Sequence, residues 1–291
     1  GTRVHRVESM AGVAVCWIGA GLLGGVPFLF VGLGPVDAAF ESVSGITTTG
    51  ASVLTDFSQY GRAVFLWRSV LQWMGGLGVI ALFVVVFPAL GIAGRQLFFA
   101  EVSTAADEGI ATNVRRVAGR LLVVYGSLTA LQVALLVHYG MPWFDAICNS
   151  MCTASTGGFS PNPSSIAGYA NPACEWVVAA FMFLCGANFA LYWRMVSGRP
   201  LALVRDSEFR AYATVALLGA VAVAATLPGP LLSEETLRVA CFQVANAMSE
   251  TGFASVDFNL WSDAGRSLVV LLVLVGGCAG SAAGGPKVAR Y

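Results

Sequence analysis

The stretch 37-DAAFESVSGITTTGAS-52 returns, altered but alignable, as 145-DAICNSMCTASTGGFS-160. Asp-Ala stands at the same distance before glycine in both, and Gly-Ala-Ser answers Gly-Phe-Ser. A third copy, 242-FQVANAMSETGFAS-255, aligns without gaps on Gly252, with Phe242 opposite Phe40, and lacks the leading aspartate. Self-similarity of this kind marks a repeated supersecondary unit. Each copy reads as a short amphipathic helix that ends in a Gly-containing turn.

Long apolar runs flank the copies. A membrane-crossing helix needs about 20 mostly apolar residues. The sequence predicts spans at 9–32, 62–91, 117–138, 173–196, 211–231 and 265–285, the last interrupted by 276-GGCAGSAAGGPK-287. Each turn-bearing loop lies between the members of one pair of spans. The chain thus divides into helix–pore-loop–helix units at 9–91, 116–196 and 211–291. The expected fold class is an all-α polytopic membrane protein built of these repeated units. Composition agrees: 57% of the 291 residues are hydrophobic and 11% charged, whereas a soluble domain carries about 25% charged residues.

Net charge is zero, so no nucleic-acid surface is expected. Arg3, Arg6, Arg95, Arg115, Arg116, Arg199, Arg205, Arg210, Lys287 and Arg290 fall on one side of the predicted spans. Asp37, Glu41, Asp56, Asp145, Glu234, Glu235, Asp257 and Asp263 fall on the other, with only Arg62, Arg238 and Arg266 as basic residues. The positive-inside rule then puts the N-terminus in the cytoplasm and the three loops outside. Carboxylates at the outer mouth would concentrate cations. The seven cysteines lie mostly in apolar segments. Cys148 and Cys152 lack the second pair or nearby histidine of a zinc site and read as packing residues. His5 and His138 have no ligand-like neighbours.

Irregular backbone at membrane depth is tolerated where protein or a watery cavity surrounds it. Carbonyls of such a turn can replace the hydration shell of a cation. Glycine supplies backbone angles closed to other residues and leaves the axis clear. The preceding short helix directs its C-terminal end, carrying roughly half a negative charge, at the cavity.

FESVSGITTTGAS, STGGFS, ETGFAS and GGCAGSAAGGPKVAR closely resemble the Trk/Ktr/HKT superfamily of potassium transporters, the bacterial TrkH-like subunits in particular. The resemblance covers essentially the whole chain. It implies four units around one central pore, with potassium as transported substrate and no organic cofactor. Gly50, Gly158 and Gly252 match the family's filter glycines. Thr48, Thr49, Thr156, Gly157, Glu250 and Thr251 match the oxygen-supplying residues before them. Glycine at position 50, where sodium-preferring plant members carry serine, favours potassium. Gly276, Gly277, Gly280, Ser281, Gly284 and Gly285 match an intramembrane gating loop, in which small residues such as Ala279, Ser281 and Ala282 would permit movement. The resemblance further implies the bacterial plasma (inner) membrane, a homodimer, surrounding lipid, and a cytosolic nucleotide-binding regulatory subunit of the TrkA/KtrA type.

Three departures stand out. Both ends of the chain look cut and the fourth unit is absent, so this piece alone is not expected to conduct. Glu250 replaces the usual threonine, either as a filter carboxylate or pointing into a pocket behind the filter. Pro286 precedes Lys287 where an apolar residue is usual. Among single residues, Asp37 and Asp145 are expected to cap their helices. Arg68 is expected to snorkel outward, and Gly75, Gly76 and Gly78 to serve close helix packing. Competing readings are the potassium-binding subunit of a P-type pump and a non-conducting truncated remnant. An intramembrane enzyme would need paired aspartates, a centred histidine or a metal cluster, which the spans do not offer.

Overall fold

The computed structural model describes residues 6–82 and 110–290. Among them the regular structure is entirely helical. The helices are α1 (Arg6–Gly24), α2 (Val26–Leu29), α3 (Pro35–Ile46), α4 (Arg62–Ala81), α5 (Ile110–His138), α6 (Trp143–Ala154), α7 (Pro172–Cys185), α8 (Phe189–Val196), α9 (Ala202–Arg205), α10 (Ser207–Thr226), α11 (Glu234–Ser249) and α12 (Asp263–Val275). Residues 83–91 of the second expected span, with Arg3 and Arg95, lie outside the described residues.

Three helices, α3, α6 and α11, each lead into one of the glycine turns and sit between two flanking helices. Each packs against both flanking helices, and α4 also packs on α6 and α7 on α11. The second span of one unit thus supports the short helix of the next. Glycines make the first of these seams tight. A Cβ at Gly75 would collide with the Ile46 carbonyl, one at Gly76 would lie 2.6 Å from Ser155 Cα, and one at Gly78 3.2 Å from Trp17. The packing expectation for these glycines holds.

Among the described residues, four helices are long and apolar enough to cross a membrane: Ala11–Leu29, with α1 and α2 read together, Arg62–Ala81, Val117–His138 and Ser207–Thr226. Large aliphatic side chains such as Leu23, Leu217 and Leu271 stay exposed on them and on α12, as a lipid-facing surface requires.

One expected span needs correction. The run 173–196 is not one helix: α7 and α8 meet at 93°. Asn188 starts the new helix by accepting from Ala190 N at 2.9 Å. The interruption expected in the run 265–285 is present: the helix ends at Val275, and the Gly-rich segment after it is irregular. The capping expectation fails as well. Pro35 occupies the first turn of α3, which places Asp37 inside that turn with Gly34 as the cap residue. Asp145 is likewise inside α6, behind Pro142. Both carboxylates still meet the positive end of the helix dipole.

Candidate functional site

The three turns share one backbone. Each short helix ends on a left-handed residue, at Thr48 (φ 55°), Thr156 (φ 52°) and Glu250 (φ 56°). Two residues on, a left-handed glycine follows: Gly50 (77°), Gly158 (79°) and Gly252 (83°). The amides of the first residue and its successor bond back to the helix end in the same way each time. Thr48 N donates to Gly45 O and Thr49 N to Ser44 O; Thr156 N to Thr153 O and Gly157 N to Cys152 O; Glu250 N to Ala247 O and Thr251 N to Asn246 O. This is a Schellman ending, with threonine or glutamate where glycine is usual. A left-handed β-branched residue costs on the order of 1–3 kcal/mol, a strain found at functional sites.

The turns meet edge to edge. A Cβ on Gly50 would collide with the Gly157 carbonyl oxygen, and one on Gly158 with that of Thr251. A Cβ on Gly252 would meet nothing within 4 Å among the described residues. Gly50 and Gly158 are therefore required twice, by backbone angle and by a neighbouring backbone. Those two carbonyl oxygens lie against the neighbouring turn, and Gly157 O also accepts from Gln72 Nε2 at 2.6 Å. Three of the four threonine hydroxyls are committed locally: Thr49 to Thr47 at 2.8 Å, Thr156 to Ser155 O at 2.7 Å, Thr251 to Ser249 at 2.7 Å.

Behind the first turn lies a buried ion pair. Arg68 does not snorkel: it is 2% exposed, Glu41 is 0% exposed, and Arg68 Nε meets Glu41 Oε1 at 2.6 Å. The carboxylate also accepts from Ser52 Oγ at 3.1 Å and Val53 N at 3.0 Å. The guanidinium lies 3.9 Å from the Phe159 ring centroid. One ion pair thus links the strand leaving the first turn to the aromatic residue that follows Gly158.

Glu250 turns toward the Gly-rich segment. Its carboxylate lies so close to Gly284 and Gly285 that a Cβ on either would collide with it. Beneath the turns this segment is fixed at several points. Cys278 N donates to Gly186 O at 2.8 Å, Phe189 N to Gly280 O at 3.2 Å and Val288 N to Gly277 O at 3.0 Å. Ala279 N donates to Glu208 Oε1 at 2.5 Å, and Lys287 Nζ donates to Ala283 O. The 93° break between α7 and α8 is therefore the seat of the segment. Gln72, Glu208 and Asn188 carry no sequence expectation, and Glu41, expected among the outer acids, is buried. For Gln72 and Asn188 the available signal is a lone amide in an apolar run, whereas Glu208 lies among Asp206, Ser207 and Arg210.

The family model described as "TrkH: Cation transport protein" matches residues 25–291. The Trk system potassium uptake protein TrkH of Salmonella typhimurium is 35% identical over 286 residues, covering 96% of this chain and 59% of that protein. TrkG of Escherichia coli is 36% identical over 264 residues, covering 88% of this chain and 54% of that protein. The crystal structure of the potassium transporter TrkH from Vibrio parahaemolyticus superposes with a TM-score of 0.85 at 30% identity, covering 100% of this chain and 61% of that one. The chain thus spans about three fifths of the length of these TrkH relatives. An all-α polytopic membrane protein with this match over most of its length belongs to the TrkH family of cation transport proteins.

Proposed function

We propose that this chain supplies three pore-loop units, 9–91, 116–196 and 211–291, of a potassium-uptake pathway. The observation that carries the reading is the threefold left-handed pair, at 48/50, 156/158 and 250/252. Three like turns at the negative ends of three helix dipoles supply the irregular backbone that a cation filter would use. In this reading Gly50, Gly158 and Gly252 line the filter, and Thr48, Thr49, Thr156, Gly157, Glu250 and Thr251 shape it. Gly276, Gly277, Gly280, Ser281, Gly284 and Gly285 form the gate below. Potassium is the ion because the matched relatives are potassium uptake proteins by name, and because Gly50 is glycine.

The open side beside Gly252 is where a fourth unit, within the further length of the relatives, would close the ring. The acidic side faces outward. There the Asp56 carboxyl is held below the usual carboxylate range by the Ser58 hydroxyl, the Gln59 amide and the Ser58 N–H, so it keeps its charge in mildly acid medium. The arginine-bearing side faces the cytoplasm and would receive a nucleotide-binding regulatory subunit, with a second copy completing a homodimer in the plasma membrane.

The test is potassium uptake by the complete parent protein, in bacteria stripped of their own uptake systems, beside Gly158→Asp. Growth on low potassium that the substitution abolishes is expected. Unchanged growth with Gly158→Asp would remove the filter assignment.

A further inference from the structure

The three turns are alike in backbone but differ in what holds the residue after the glycine. The position six residues before the glycine is Ser44 in the first unit and Asn246 in the third. Ser44 Oγ donates to Ala51 O at 2.5 Å. Asn246 Nδ2 donates to Phe253 O at 2.8 Å, and its Oδ1 accepts from Phe253 N at 3.0 Å. In both, the short helix holds its own outgoing strand. The second unit has Cys152 there, and a thiol is a poor donor and acceptor.

In the second unit the amide comes from elsewhere. Gln72, on α4 of the first unit and 0% exposed, donates from Nε2 to Gly157 O at 2.6 Å and accepts at Oε1 from Phe159 N at 3.1 Å. One carboxamide brackets Gly158 from both sides. A second observation agrees. The residue before the glycine is threonine in the first and third units, Thr49 and Thr251, but glycine in the second. A Cβ at Gly157 would collide with the Gln72 carboxamide. The Gly157-Gly158 doublet is thus the space that Gln72 occupies.

Resting on the filter reading above, we infer that Gln72 is the positioning residue of the second turn, a clamp lent across the unit boundary in place of Cys152. The atom it holds, Gly157 O, is also the one seated against Gly50. Gln72 therefore sets the spacing between two of the glycines, and with it the preference for one monovalent cation over another.

The experiment compares potassium and sodium uptake by the complete parent protein with Gln72→Leu, Gln72→Glu and Gly158→Ser. Gln72→Leu removes both bonds. Gln72→Glu keeps the shape and the acceptor for Phe159 N but loses the donor to Gly157 O. Both should lower the potassium-to-sodium ratio about tenfold, the effect of one buried acceptor left unpaired, and raise the KM for potassium. A purely structural role would lower the maximal rate with the amount of folded protein and leave ratio and KM unmoved; that result overturns the inference. Should Gln72→Leu fail to accumulate, Gln72→Glu decides. Should Gly158→Ser also leave the ratio unchanged, the filter reading itself falls; a shifted ratio there with unchanged Gln72 variants removes this inference alone.

Discussion

Replacing Arg68 with methionine in the parent protein should destabilise it well beyond the loss of one surface charge. Methionine fills much of the arginine stem, so the main change is electrostatic. Glu41 would keep Ser52 Oγ and Val53 N as donors but lose its countercharge in a site with no exposure of its own. Breaking a buried pair by removing one partner costs about 3–5 kcal/mol. Loss of the guanidinium over Phe159, 3.9 Å from its centroid, adds about 1–2 kcal/mol if fully desolvated. Removing both charges with Glu41→Gln and Arg68→Met leaves no orphan ion, so the double variant should be more stable than Arg68→Met alone by roughly 2 kcal/mol. The assay is the thermal midpoint of purified protein in detergent at a fixed scan rate, since membrane proteins seldom unfold reversibly. A drop on the order of 5–10 °C for the single variant is expected, with partial recovery in the double. A single variant within a degree of the parent, or a double variant that loses the sum of both singles, would refute the argument that the charges are coupled.

Gly50→Ala should reduce potassium uptake at least tenfold at unchanged membrane abundance, because its Cβ would collide with Gly157 O and its φ of 77° costs a non-glycine residue about 1–2 kcal/mol; normal uptake would show that the first two turns do not meet in the working protein. Glu208→Ala leaves Ala279 N without its acceptor, at about 1–3 kcal/mol. Potassium flux into proteoliposomes without any added subunit should rise several-fold, whereas Glu208→Gln, which keeps an acceptor oxygen, should match the parent; equal fluxes in all three would show that this bond does not hold the gate. Glu250→Thr withdraws a carboxylate from Gly284 and Gly285 and should change flux while leaving the potassium-to-sodium ratio within about twofold; a changed ratio would put the carboxylate on the ion path.

The local chemistry of this protein is legible in its sequence, and its pairings across the chain are not. Apolar run length marks α1, α4, α5 and α10, and alignment on one glycine finds the three turns. Both signals lie within a few tens of residues. The seat of the Gly-rich segment is a different kind of fact. Residues 173–196 read as one span because Gly186 and Asn188 are too few to break an apolar helix by propensity alone. The break is sustained from outside, where Cys278 N takes the Gly186 carbonyl and Gly280 O takes the Phe189 amide, replacing bonds that a continuous helix would make internally. Arg68 misleads for the same reason, since its partner is 27 residues earlier and only folding brings it within reach. The placement of Asp37 is a local misjudgement of another sort. Proline two residues before it was the stronger signal, because a missing N–H costs nothing in the first turn, and it moved the helix start ahead of the carboxylate. The hydroxyls of Thr49, Thr156 and Thr251 each bond within their own loop, a pairing that follows from the folded turn and not from the glycine spacing. The repeat thus specifies where irregular backbone gathers, while the polar side chains around it, the buried Glu41, Gln72 and Asn188 and the half-buried Glu208, specify how tightly it is held. Gln72 and Asn188 are lone buried amides in apolar runs, where an unpaired group is costly enough to demand a partner, whereas Glu208 stands among Asp206, Ser207 and Arg210 and Glu41 beside Ser42, so neither differs from its neighbours until the chain is folded.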